Sequence, residues 1–224
     1  ATLPYLFDKW ERGTATTVHE PFDLKALASC YYVNVKRYPD FGWAWLSRFT
    51  VTLSSAIALF YLFYYLQDHI GLAPDKSTGE GMRVADGVLI LTLIYAVAVF
   101  ATVVVAGSWS DKLGRRRVFV AVAACFYVAA SLMMAVATSF GVVVVAAVIL
   151  GLGTGVFTSV DFALVTELLP SSESSGKDIG IIHLAVGLPN VLAPVVAAFA
   201  VNSMGGYTAL YLVAAALAVT GAIF

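Results

Sequence analysis

Six stretches of this chain have the composition of segments that cross a lipid bilayer. They run approximately from Trp43 to Leu66, Asp86 to Ala106, Val118 to Ala137, Val142 to Leu164, Gly180 to Val201 and Thr208 to Phe224. A helix rises about 1.5 Å per residue, so about 20 apolar residues cover a hydrocarbon core about 30 Å thick. In lipid, backbone donors and acceptors must be satisfied within the segment itself, which makes helices of such stretches. The expected fold class is an all-α membrane protein with six transmembrane helices. Overall composition agrees, with 60% hydrophobic and 12% charged residues against roughly 25% charged in soluble domains.

The same arithmetic narrows function. A net charge of −1 offers no basic face for nucleic acid. Cys30 and Cys125 are too few for a disulfide framework, and Cys125, inside an apolar stretch, reads as a small packing residue. No metal-ligand spacing or nucleophile elbow occurs, so neither a metal nor a cofactor is expected and the chain reads as a non-enzyme. Gly151-Leu-Gly153-Thr-Gly155 looks like a phosphate cradle but lies mid-span with no preceding strand and no nearby lysine. It reads instead as small-residue helix packing, with Gly151 and Gly155 one turn apart.

Lysine and arginine counts in short loops set orientation. Lys9, Arg12, Lys25, Lys36, Arg37, Arg48, Lys112, Arg115, Arg116, Arg117 and Lys177 fall on one side, and Lys76 and Arg83 on the other. The leader is therefore expected in the cytoplasm. Trp43, Trp45, Tyr64 and Tyr65 would bracket the first span as an aromatic belt. Residues 1–40 read as a cytoplasmic connection, and Phe22, Leu24, Leu27, Tyr31, Tyr32 and Val35 share one helical face there. That face suits an interfacial helix lying on the bilayer or a linker helix packed on protein. Residues 41–224 read as the membrane domain. The first residue is Ala, and the chain stops inside an apolar run, as a piece of a longer polypeptide would.

Between the second and third spans the chain reads Gly107-Ser-Trp-Ser-Asp111-Lys-Leu-Gly114-Arg115-Arg116-Arg117. A small Gly107 would let a helix end approach its neighbour, Gly114 would permit a reversal, and Asp111 offers a carboxylate to an arginine or a helix N-terminus. The loop resembles the signature of the major facilitator superfamily, Gly-x-x-x-Asp-x-x-Gly-Arg-Arg/Lys, in the position that family requires. Asp161 to Pro170, Gly176 to Gly180 and Leu188 to Pro194 are similar to its tenth helix, the following loop and its eleventh helix. Pro39 to Phe49 resembles the start of its seventh. The resemblance implies the C-terminal half of a twelve-helix fold, with an N-terminal six-helix domain of the same polypeptide as partner. It further implies secondary active transport of a small solute by alternating access, with the first and fourth spans here lining the cavity. A bacterial inner membrane is the expected location. Three spans followed by three more permit two inverted three-helix repeats. The cargoes this implies are a sugar or sugar-like solute carried in symport with H+, or a drug or metabolite carried in efflux; a polytopic enzyme or a scaffold is the rival class.

Ionisable groups inside a membrane are functional candidates by default. Asp161 and His183 sit about one turn inside the fourth and fifth spans, at similar depth. Either they meet as a proton-coupling pair, or Asp161 and Glu167 join Arg115 to Arg117 in a cytoplasmic charge network; the depth of Asp161 favours the network. Pro189 and Pro194 would free backbone carbonyls and bend the fifth span. Asn190 between them either contacts substrate or satisfies those carbonyls. Ser54, Ser55 and Tyr61 in the first span and Thr154 and Thr158 in the fourth complete a candidate cavity of hydroxyls and aromatics.

Overall fold

The computed structural model describes residues 39–72, 82–113, 116–167 and 175–223. Side chains are described for 42–72, 82–110, 112–113, 118–161 and 180–222. The leader helix expected around Phe22 to Val35 lies outside the described residues, as do Gly114 and Arg115.

Every described element is an α-helix: α1 Pro39–Phe60, α2 Leu62–Asp68, α3 Val84–Leu113, α4 Arg116–Val136, α5 Phe140–Glu167, α6 Ser175–Ser203 and α7 Tyr207–Ile223. Four stretches within them are long and apolar enough to span a membrane: Val84–Ser110, Val118–Val136, Phe140–Asp161 and Gly180–Ser203. The first expected span is not one straight helix. It breaks at Tyr61, whose φ of −96° and ψ of 4° leave the helical basin, and Gly42–Phe60 meets Leu62–Asp68 at 42°. The bent segment is anchored by the Tyr65 hydroxyl, which donates to the Met134 carbonyl at 2.7 Å. Helix α7 has 17 residues, about 26 Å at 1.5 Å per residue, and is the short member of the set.

The helices pair reciprocally. Helix α5 runs along α3 and α4, α1 runs along α6 and α7, and α4 packs on α7. Thus the first helix of each trio lies on the second and third helices of the other trio. Glycines make the α5 contacts possible. A Cβ on Gly151 would lie 2.7 Å from Ala98 Cβ, and one on Gly155 2.6 Å from Thr102 Cβ, both on α3. One on Gly153 would lie 2.9 Å from Phe126 Cβ on α4. The Gly-x-Gly-x-Gly segment is therefore a packing device with two faces, and one missing atom per glycine brings three helices together. At the α1–α7 seam, Ser47 Oγ donates to the Gly221 carbonyl at 2.6 Å and Ser54 Oγ to that of Ala214 at 2.7 Å.

Large apolar side chains also cover the outside. Leu89, Leu93, Val97, Phe100 and Val104 form an outward stripe on α3, and Leu188, Val191, Val195 and Phe199 form another on α6. Phe100 is 76% exposed and Val191 71%, which suits lipid or another apolar helix and not water. Cys125 is exposed on α4, so it is not the packing residue expected of it. Half of the expected aromatic belt also turns inward. Trp43 and Tyr64 are exposed, whereas Tyr65 is fully buried and Trp45 Nε1 donates to the Ile181 carbonyl on α6 at 2.8 Å.

Candidate functional site: the face between α1 and α5

Arg48, Thr52, Ser55 and Leu59 recur at intervals of four, three and four along α1, and Thr154, Thr158 and Asp161 do so along α5. Such spacing places each set on one helical face. The two faces meet at an ion pair. Arg48 Nη2 lies 2.9 Å from Asp161 Oδ2, with side-chain exposures of 12% and 14%. The other two guanidinium nitrogens of Arg48, Nε and Nη1, are buried and find no acceptor among the described residues. Unmet donors of this kind are costly and mark places where structure serves more than stability.

A hydroxyl cluster lies further along the same face. Thr154 Oγ1 accepts from the Tyr127 hydroxyl at 3.0 Å and the Tyr95 hydroxyl at 3.2 Å, and donates to the Leu150 carbonyl at 3.0 Å. A hydroxyl has one proton and two lone pairs, so Thr154 is saturated. It ties α3 and α4 to α5.

Several sequence expectations change here. Among described side chains Asp161 pairs with Arg48, whereas His183 is exposed on α6 and does not meet it. The expected loop is mostly helix, because α3 continues through Leu113 and α4 resumes at Arg116. Gly107 and Asp111 thus belong to the last turns of α3. Among the described residues, a Cβ on Gly107 would find Ser159 Cβ, at 3.9 Å, an ordinary contact that does not require glycine. The side chains of Asp111, Arg116, Arg117 and Glu167 fall outside the described set, as do Gly114 and Arg115 altogether.

Most of the expected cavity hydroxyls are already engaged. Ser54 faces α7, and Ser55 Oγ donates to the Thr52 carbonyl at 3.0 Å. Tyr61 is half-buried at the α1–α2 break, with its ring 5.7 Å from that of Tyr64. Thr158 is exposed on the α5 face. Asn190 Nδ2 donates to the Val186 carbonyl one turn back, at 2.7 Å, a contact of the helix with itself. Pro189 is buried and Pro194 exposed, and α6 is one continuous helix through both.

Arg48, Tyr95 and Tyr127 were not among the expected site residues. Arg48 carries a signal of its own, an arginine inside an apolar span, although by charge alone it reads as one more basic residue of the loop bias. The tyrosines had none, because their rings read as apolar and only the fold supplies Thr154 as acceptor. Among the described residues no group of three or more His, Cys, Asp or Glu could hold a metal.

Comparison with known proteins decides the family, for residues 44–224 match the Major Facilitator Superfamily. This chain belongs to that superfamily. Its members are multi-pass membrane transporters, not enzymes. The chain is 29% identical over 122 residues to Multidrug resistance protein 3 of Bacillus subtilis (strain 168), covering 54% of this chain and 23% of that protein. It is 29% identical over 144 residues to the uncharacterized MFS-type transporter C18.02 of Schizosaccharomyces pombe, covering 64% and 30%. It is 32% identical over 101 residues to the Multidrug resistance protein B homolog of Mycobacterium tuberculosis (strain ATCC 25618 / H37Rv), covering 45% and 18%. The matched stretch therefore spans under a third of each of these superfamily relatives.

Proposed function

We propose that residues 41–224 form a six-span half of a secondary active transporter that moves a small solute across a plasma membrane by alternating access. The observation that carries this reading is the α1–α5 face, where a nearly buried ion pair bridges the first helices of two trios. The reciprocal helix pairing supports two inverted three-helix repeats. The second half of the transporter is another six-span domain of the same polypeptide, and the outward stripes of α3 and α6 are surfaces on which it can dock. The Gly107 to Arg117 segment acts as the cytoplasmic switch, with the leader on that side of a bacterial inner membrane.

Arg48 and Asp161 tie α1 to α5. A proton on Asp161 would cancel its charge and loosen that tie, which gives a proton gradient a handle on the conformational equilibrium. Glu167 and His183, near the same end, are the further ionisable groups through which such coupling would act.

Among substrates, efflux of a lipophilic compound has more support than sugar symport. The described hydroxyls of Ser54, Ser55 and Thr154 are spent on protein partners, which leaves few to recognise a sugar. Two of the relatives are named multidrug resistance proteins. Vesicles containing the full-length protein, loaded for counterflow with labelled sugars or with lipophilic cations, test the assignment with and without a proton gradient. Gradient-dependent movement of the lipophilic compound alone is expected. Movement of a sugar would reverse the substrate assignment, and movement of neither would remove it.

A further inference from the structure

The bent first span ends, at α2, in a group of aromatic rings around one carboxylate. Tyr61 and Tyr64 are about one turn apart, with ring centroids 5.7 Å from each other, and Asp68 follows Tyr64 by a further turn on the same helical face. Tyr207, at the start of α7, closes the group from across the bundle. Its hydroxyl donates to Asp68 Oδ2 at 2.6 Å, and its phenol is near enough to those of Tyr61 and Tyr64 to interact with them electrostatically. Tyr64 is 55% exposed, Asp68 is exposed, and Tyr61 and Tyr207 are half-buried. The carboxylate and the rings beside it therefore meet solvent.

Nothing described neutralises Asp68. Its Oδ1 has no partner among the described residues. The two ion pairs among described side chains join Arg48 to Asp161 and Arg83 to Asp86. His69, next in the chain, stacks on Tyr65 at 5.1 Å and forms no described pair with the carboxylate.

We propose that this face of α2, with Tyr207, is a binding site for a small organic ammonium ion, its charge at Asp68 Oδ1 and its alkyl groups against the rings of Tyr64 and Tyr61. Charge and ring chemistry together restrict the occupant. The carboxylate and the electron-rich ring faces both attract positive charge, so an anion is refused. A neutral solute of the same shape gains the rings but leaves Asp68 to water. An inorganic cation such as Ca²⁺ needs several oxygen ligands in place of its water, and among the described residues no group of three or more His, Cys, Asp or Glu could supply them. A substituted ammonium ion spreads its charge over alkyl groups, which suits a surface that is part carboxylate and part ring. The hydrogen bond from Tyr207 already orients the carboxylate, so the ligand does not have to order it. The site lies apart from the α1–α5 face and does not depend on the transport reading, and its test measures binding alone.

The probes are choline and 3,3-dimethylbutan-1-ol, which share a shape and differ by a quaternary nitrogen in place of a quaternary carbon. Each is titrated into purified full-length protein in an uncharged detergent, with dissociation constants read by NMR. Choline saturates the wild type and binds more tightly than the alcohol, and its affinity falls as sodium chloride is raised to about 0.5 M. Asp68→Asn keeps an oxygen for Tyr207 and removes the charge; it lowers choline affinity about fivefold, the upper range for one exposed charge pair. Tyr64→Leu keeps an apolar side chain and removes the ring, and weakens choline about threefold. Phosphatidylethanolamine added to the micelles does not displace choline. The salt dependence tests the charge without any substitution. The proposal is overturned if choline does not saturate the wild type, if the two probes bind equally, or if salt, Asp68→Asn or Tyr64→Leu leaves choline affinity unchanged. Displacement of choline by phosphatidylethanolamine would also overturn it, by giving the site to a lipid headgroup.

Discussion

Arg48 on α1 and Asp161 on α5 form an ion pair at 2.9 Å, each side chain nearly buried, and two further guanidinium donors beside it have no acceptor among the described residues. A pair in this setting is costly to break from one side, because the survivor is left as an uncompensated charge in a poor solvent for ions. Asp161→Asn and Arg48→Gln should each lower stability by about 3 kcal/mol, at the lower end of the range for buried pairs because neither group is fully enclosed. The exchange Arg48→Asp with Asp161→Arg should recover much of that loss. Thermal unfolding of the full-length protein in detergent measures the three variants against wild type. An exchange no better than the worse single variant would show that the pair does not act as a pair.

Gly155 and Gly107 should respond oppositely to alanine. At Gly155 the new Cβ would meet Thr102 Cβ at 2.6 Å and the Val99 carbonyl oxygen at 2.8 Å, so α3 and α5 would have to move apart. Gly155→Ala should cost roughly 1–3 kcal/mol, as overpacking of a close interface does. Among the described residues Gly107→Ala meets one contact, at 3.9 Å, and should leave the unfolding temperature within a degree or so. A transport defect in Gly107→Ala at unchanged stability would assign that glycine to switching and not to packing.

Thr154 is the shared acceptor of two tyrosines. Thr154→Val keeps the shape but strands the Tyr95 and Tyr127 hydroxyls, at a cost of about 1–3 kcal/mol for the buried one. Thr154→Ser retains the oxygen and should stay within about 1 kcal/mol of wild type. Differential scanning calorimetry on the pair separates the hydroxyl from the methyl group. Equal losses in the two variants would mean that packing, and not the hydrogen bonds, holds this part of α5.

Orientation is open to a direct measurement. In a cysteine-free background, single cysteines at Lys76 and Lys112 should be labelled by a membrane-impermeant maleimide from opposite sides, with Lys112 reached only from the cytoplasm. Labelling of both from the same side would overturn the assignment of the leader.

Much of the architecture was legible before any coordinates. Spans at Val118–Val136 and Gly180–Ser203 agree with their expected limits within two residues, because long apolar runs in lipid have one way to satisfy their backbones. The Gly-x-Gly-x-Gly segment was legible as packing for a similar reason, since it follows no strand and has no lysine to hold a phosphate. The break at Tyr61 was not legible. No proline or glycine marks it, and its anchor, the Met134 carbonyl, comes from another helix.

The sequence by itself determined the solvent this protein needs, the number of apolar stretches and the family to which it belongs. Each depends on residue type summed along the chain or on spacing within a few turns. The tertiary structure alone decided what the polar groups do. It gave Asp161 to Arg48 and not to His183, closed the Thr154 hydroxyl with two tyrosines, turned Ser54 toward α7 and buried the Tyr211 hydroxyl without a partner among the described residues. A hydrogen bond or ion pair is decided within about 4 Å. Which groups come that close depends on how helices far apart in sequence pack, and hydropathy along the chain carries no record of it.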